Sequence, residues 1–195
     1  MGVGEQRVRV VAGRWKGRRI DAPKGTATRP TSDRVREAVF SAIDARIGTL
    51  AGTSVLDLYA GSGALGIEAL SRGAVHVDFV ESDRGAASVI RRNLDNLGAA
   101  ANEYDIHTQP VERFVARRRT VRPVSLLLAD PPYRIDAALF HQVLEALAGS
   151  GLIARGALVV YEHAADAASV WPEGFADDGF RRYGDTAVSY AVYEG

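Results

Sequence analysis

The run Val55-Leu56-Asp57-Leu58-Tyr59-Ala60 leads an apolar strand straight into Gly61-Ser62-Gly63-Ala64-Leu65-Gly66, a G-x-G-x-x-G loop, and from there into a helical pattern. Strand, glycine loop and helix in that order build the first βα turn of an open α/β sheet, where a ligand lies against backbone that side chains would block. Glu81 follows Gly61 by 20 positions, at the end of the next apolar run. A carboxylate there can accept hydrogen bonds from both hydroxyls of a ribose.

The rest of the chain extends this pattern. Short apolar runs at 54–59, 76–81, 104–108, 124–130 and 157–162 alternate with helical spacing near 64–72, 83–97, 111–118 and 136–148, which predicts βαβ units around a parallel sheet buried on both faces. After Trp171-Pro172, two strands at 179–183 and 186–193 flank Gly184-Asp185, a hairpin turn. Ahead of the sheet, Val8 to Val11 and Arg18 to Ile20 flank a Gly13 to Gly17 turn, and Pro30-Thr31-Ser32-Asp33 starts a helix that runs to Gly48. We therefore expect an α/β fold with a mostly parallel seven-stranded sheet, an antiparallel C-terminal hairpin and a small N-terminal β extension. The expected division is a basic extension over residues 1–30 and one α/β domain over 31–195.

Composition narrows the function. The 195 residues contain no cysteine, which excludes disulfides, thiolate metal sites and a cysteine nucleophile. The four histidines show no paired metal-ligand spacing, so no metal is expected. No secretory or spanning segment is visible, so a cytoplasmic protein with no membrane partner is expected. The formal net charge is zero, yet residues 1–36 hold ten Lys and Arg against three acids. A basic arm on an acidic body points to a polyanion on one face. Within it Arg14, Lys16, Arg18 and Arg19 suit phosphates, while Trp15 suits either an unpaired base or the core. Glu68 reads as a surface acid.

The loop and Glu81 fit either a dinucleotide or S-adenosylmethionine, and Asp57 separates them. A carboxylate four residues before the first glycine repels a pyrophosphate and stabilises the ammonium of a methionine moiety. Tyr59, Ala60, Ser62, Gly63 and Ser82 complete the expected cofactor-binding set.

Asp130-Pro131-Pro132-Tyr133 ends the fourth of these strands, at the same edge as the glycine loop. Two prolines remove two N–H donors and stiffen the turn. The Asp130 carboxylate and the Pro131 carbonyl can then hold both hydrogens of an exocyclic amine, so that its lone pair is aimed at a methyl donor. Tyr133, flanked by Pro132, can stack on a base drawn out of its own stack. Adenine N6, cytosine N4, guanine N2 and a glutamine amide all satisfy this chemistry.

Together, DLYAGSGALGIEAL and DPPY resemble class I S-adenosylmethionine-dependent methyltransferases of the Rossmann-like type. RVVAGRWKGRRI followed by TRPTSDRVREAVFSAI resembles the opening of the RsmD family, the bacterial 16S ribosomal RNA (guanine-N2) methyltransferases. The resemblance implies methylation of a guanine amine in 16S ribosomal RNA, with assembled small subunits rather than DNA as partner, by a protein expected to be a monomer. It implies that Asp57, Gly61, Gly63 and Glu81 hold S-adenosylmethionine, that Asp130 to Tyr133 hold the guanine, and that Arg29, Thr31 and Arg34, in a segment running on to Arg36, border the site. Where the family often has Asp or Asn near the adenine, this chain offers Gln109 or Glu112.

Overall fold

A computed structural model describes residues 8–23, 33–117, 123–132, 137–166 and 171–195. Arg29, Thr31 and Tyr133 lie outside the described residues. A two-stranded antiparallel sheet, β1 (Val8–Arg9) and β2 (Arg19–Ile20), precedes α1 (Asp33–Ile47). The main sheet follows: β3 (Ser54–Leu58), α2 (Ala64–Ser71), β4 (His76–Glu81), α3 (Arg84–Leu97), β5 (Tyr104–Thr108), α4 (Val111–Arg117), β6 (Val124–Ala129), α5 (Ala137–Ser150), β7 (Ile153–Ala164), β8 (Phe175–Tyr183) and β9 (Thr186–Tyr193). Its order is β5-β4-β3-β6-β7-β9-β8, parallel from β5 to β7 and antiparallel in the last three strands. This is the expected fold.

Period-2 alternation divides the core. Val55, Leu126, Leu128, Leu158 and Val160 face one cluster with α1, α2 and α3, whereas Leu56, Leu127, Val159 and Tyr161 face another with α4 and α5. Because helices cover both faces, the central strands read as unbroken apolar runs. β7 is longer than expected: Arg155-Gly156 interrupts its apolar pattern, but Leu158 to Ala164 pair with β9 and Val124 pairs with Ile153 across a register break. β8 is longer too, since Asp177 and Asp178 on an edge strand hide it from an apolar count. Among the described residues no helix is long and apolar enough to cross a membrane.

The N-terminal extension packs into the first cluster through Val8, Val10, Trp15 and Ile20. Trp15 is 6% exposed, with the Arg14 guanidinium 4.0 Å above its ring. The core anchor is thus the role the fold gives it, and the ring offers no open face to a base. Gly13 has φ +80°, and a Cβ there would lie 1.8 Å from the Ser71 carbonyl oxygen, so only glycine allows the turn to dock on the end of α2.

Glu68 corrects the surface reading. It is 0% exposed and accepts hydrogen bonds from the Val11 N–H (2.7 Å), the Ala12 N–H (2.9 Å) and Arg72 Nε (2.8 Å). Arg36, counted in the basic arm, is 1% exposed; its Nε stands 3.7 Å from Glu68, and its Nη2 donates to Asp33 and to the Arg9 carbonyl. A buried carboxylate thus joins the extension, α1 and α2. Single-residue spacing misread it, because α2 is apolar on nearly every side and a lone acid in it looks like its solvent face.

Candidate active site at the carboxyl edge of the sheet

The parallel register assembles the site. Leu58 pairs with Val80 and with Ala129, Glu81 pairs with Thr108, and Ala129 pairs with Tyr161. Thr108, Glu81, Tyr59 and Asp130 therefore end four adjacent strands in one row, with Glu162 continuing it on β7. Neighbouring strands lie about 4.8 Å apart, so Asp130 and the glycine loop are one strand spacing from each other.

The glycine loop is held from three sides. The Gly61 N–H donates to Glu81 Oε2 at 2.8 Å, the Gly63 N–H to the Ala60 carbonyl at 2.7 Å, and the Ser62 carbonyl accepts from Asn93 Nδ2 at 3.0 Å. Glu81 also accepts from the Asp83 N–H, while Ser82 is exposed, its hydroxyl 3.5 Å from Glu81. A Cβ on Gly66 would lie 2.3 Å from Phe79, so the third glycine lets α2 seat on β4. Tyr59 is the one non-glycine residue with positive φ (59°) among those described. Strain of this kind persists where surrounding structure enforces it, commonly at functional sites. Among the described residues its hydroxyl has no hydrogen-bond partner, and burial pushes the phenol above its ordinary pKa.

Asp57 is 1% exposed, and its Oδ2 accepts from the Gly66 N–H at 2.9 Å. One oxygen is therefore committed to the turn. Burial, with a smaller contribution from Glu81, raises its pKa from 3.8 to about 7. Two carboxylates thus flank the loop, and no ion pair among the described residues supplies Asp57 with a cation. A cationic ligand fits this arrangement, whereas a pyrophosphate would add to the repulsion.

Asp130 is half-buried at the end of β6, Pro131 is buried and Pro132 exposed. Next to them on β7, Tyr161 stacks on Phe140 (4.0 Å) and on His163 (5.0 Å), with Trp171 edge-on at 6.4 Å. This aromatic wall was missed, because its members come from α5, β7 and the segment after β7, and only the fold brings them together. Asn93 was also missed: it is 2% exposed, accepts from the Asp21 N–H and donates to the carbonyls of Asp21 and Ser62, linking the extension to the glycine loop. Its place on the apolar stripe of α3, between Ile90 and Leu97, was the available signal.

Two arginines of the basic arm lie elsewhere. Arg14 pairs with Glu103 at 2.7 Å, just before β5 begins, and Arg18 donates to the Asn96 carbonyl at the end of α3. Both mark the amino edge, opposite the row just described. Lys16, Arg19 and Arg34 are exposed. Gln109 is half-buried after β5, and Glu112 is exposed in the first turn of α4. The fold also gathers His76, Asp78 and Asp105 at the start of the β4–β5 pair, with His107 Nε2 2.7 Å from Asp78, a proximity that spacing along the chain does not show.

The family model described as conserved hypothetical protein 95 matches residues 8–192. The "Ribosomal RNA small subunit methyltransferase D" of Escherichia coli (strain K12) is 34% identical over 159 residues, 82% of this chain and 76% of that one. The chain belongs to the RsmD family. A relative of the same name from Haemophilus influenzae is 30% identical over 96% of this chain and 93% of its own. Among solved structures, yhhF from Escherichia coli matches this RsmD-family chain with TM-score 0.82 and 30% identity, covering 97% and 99% of the two chains. SMU.776, solved in complex with SAH, shares the fold at TM-score 0.65 and 13% identity, over 82% of this chain and 49% of its own. The family places the sequence resemblance on firm ground.

Proposed function

We propose that this chain transfers a methyl group from S-adenosylmethionine to the exocyclic N2 amine of a guanine in 16S ribosomal RNA, within assembled small subunits. The observation that carries the reading is the register of β3 and β6, which sets the Asp130-Pro131-Pro132 turn beside the glycine loop in a chain whose relatives are ribosomal RNA methyltransferases.

S-adenosylmethionine, when bound, supplies an electrophilic methyl on a positively charged sulfur. Glu81 is placed for the ribose hydroxyls, the Gly61 to Gly63 backbone for close approach, and the free side of Asp57 for the ammonium. Asp130 accepts one amine hydrogen of the guanine and the Pro131 carbonyl the other, which turns the amine lone pair toward the methyl. The methylated amine then sheds its proton to solvent, so Asp130 acts by position and charge rather than as a strong base.

Labelled methyl should appear in RNA, as N2-methylguanine, when unmodified small subunits are offered, and not in DNA or protein. Label on an adenine, a cytosine or a glutamine amide would replace the guanine reading with another amine.

Asp57 gives a second test. Its folded pKa lies above the unfolded one, so protonation favours the fold, and the stability of the free protein falls as pH rises from about 4 through about 7. A bound cation favours the carboxylate and expels that proton. Calorimetry of S-adenosylmethionine binding near pH 6.5 should therefore show an enthalpy that varies with the buffer's ionisation enthalpy. At the same pH the variation should be lost in Asp57→Asn. A buffer-independent enthalpy at pH 6.5 would remove Asp57 from the cofactor's charge environment.

A further inference from the structure

A groove of about 310 Å³ lies on the outer side of α3, lined by Arg84, Ala87, Ser88, Arg91 and Thr108. Residues 84, 88 and 91 are spaced i, i+4, i+7, so they share one helix face, and at 1.5 Å per residue the two arginines stand roughly 10 Å apart along it. Both are exposed. Asp83, the nearest acid on the element, is engaged as the cap of α3 through the Ala86 N–H at 2.7 Å. Among the described residues neither Arg84 nor Arg91 has an ion-pair partner, unlike Arg14, Arg46 and Arg72, which are matched by Glu103, Asp178 and Glu68. Arg92, also exposed, reaches only the Ser88 hydroxyl, at 3.4 Å.

The groove abuts the site. Thr108 on its wall is the register partner of Glu81, and three strand spacings, roughly 14 Å, separate β5 from Asp130 on β6. Two unpaired guanidinium forks with a serine and a threonine hydroxyl between them suit phosphate oxygens, which accept from both donor types. An acidic protein tail could also meet bare arginines, but the hydroxyl-lined cleft beside a base-modifying edge favours a nucleic-acid backbone.

We infer that the Arg84–Ser88–Arg91 face of α3, with Thr108, binds the RNA backbone flanking the target nucleotide, two phosphates being held there while the guanine reaches Asp130. The inference rests on the ribosomal RNA reading above. It also moves the electrostatic interface from the tip of the N-terminal extension, whose Arg14 and Arg18 are occupied at the amino edge, to the catalytic edge.

Binding of 16S RNA by the full chain, measured across salt concentrations, tests it. For single-stranded RNA, loss of two phosphate contacts should reduce the slope of log affinity against log salt by about 1.4 and weaken binding roughly 20-fold at 0.1 M salt. The double variant Arg84→Gln with Arg91→Gln should show both changes while its affinity for S-adenosylmethionine is unaltered. Arg181→Gln, which removes an exposed charge from β8 at the opposite sheet edge, should change neither. An unchanged slope in the double variant, or an equal change in Arg181→Gln, overturns the inference. Methyl transfer is read separately, on unmodified small subunits: if the wild-type chain binds 16S RNA with the expected slope but transfers no methyl to the subunits, the functional reading fails and the groove stands.

Discussion

Asp130→Ala should lower kcat for methyl transfer to small subunits by 10²-fold or more, the order of loss seen when one preorganised catalytic hydrogen-bonding group is removed. Thermal stability and S-adenosylmethionine affinity should stay near wild type. The side chain is half-buried at a strand end and lies outside the Asp57–Glu81 group, so its removal leaves no large cavity and no change beside the glycine loop. What disappears is one of the two acceptors that turn the guanine amine, and a freely rotating amine keeps its lone pair delocalised in the ring. Asp130→Asn should fall between the two, because its amide oxygen can still accept if the NH₂ group is turned away. Full activity in Asp130→Ala would refute the assigned mechanism, whereas loss accompanied by unfolding would show as a fall in melting temperature.

Glu68→Ala should destabilise the protein by about 3–5 kcal/mol, the range found when one partner of a buried ion pair is removed. For a chain of this size each kcal/mol shifts Tm by about 2–4 °C, so a drop on the order of 10 °C is expected. The physical cause is the charge left behind. Arg36, at 1% exposure, would keep its guanidinium with Asp33 as its remaining acid, and the N–H groups of Val11 and Ala12 would lose their acceptor. The extension should loosen first, so limited proteolysis within residues 8–23 should accelerate before the sheet unfolds. Adding Arg36→Met to Glu68→Ala should restore part of the loss by removing the stranded charge. A melting temperature within 2 °C of wild type, in the range about 0.5–1 kcal/mol produces, would show that Glu68 does not hold the extension, α1 and α2 together.

Much of the fold was legible because its cause is local. A parallel strand buried on both faces must be apolar throughout, so Leu126-Leu127-Leu128 could hardly be anything else, and Gly98, with φ +74°, ends α3 as glycine after a helix commonly does. The expected bounds match the structure to the residue at β4 and β5, where turn residues flank short segments that mix apolar and polar side chains. They were too short at β7 and β8, where the pairing partner rather than the side chains decides where the strand stops.

The candidate site divides in the same way. Gly61, Gly63, Glu81 and Asp130 are legible as a spacing, since a βα turn and a strand end have fixed geometry relative to their own segment. Glu68, Arg36 and Asn93 were misread or missed because the partners that bury them, beyond the local Arg72 and Asp33, lie 27 to 72 residues away. Charge alone does not tell a buried pair from a solvated one.

From sequence alone came the α/β sheet, the glycine loop with its acid, the Asp130 turn and the RsmD resemblance, all set by chemistry that one segment carries by itself. The tertiary structure decided which edge each charge occupies: it buried Trp15 and Arg36, sent Arg14 and Arg18 to the amino edge, and brought Arg84, Arg91 and Thr108 together beside the site. The difference is physical. Backbone periodicity and turn geometry depend on near neighbours, whereas the fate of a charge depends on which distant group the fold brings within reach.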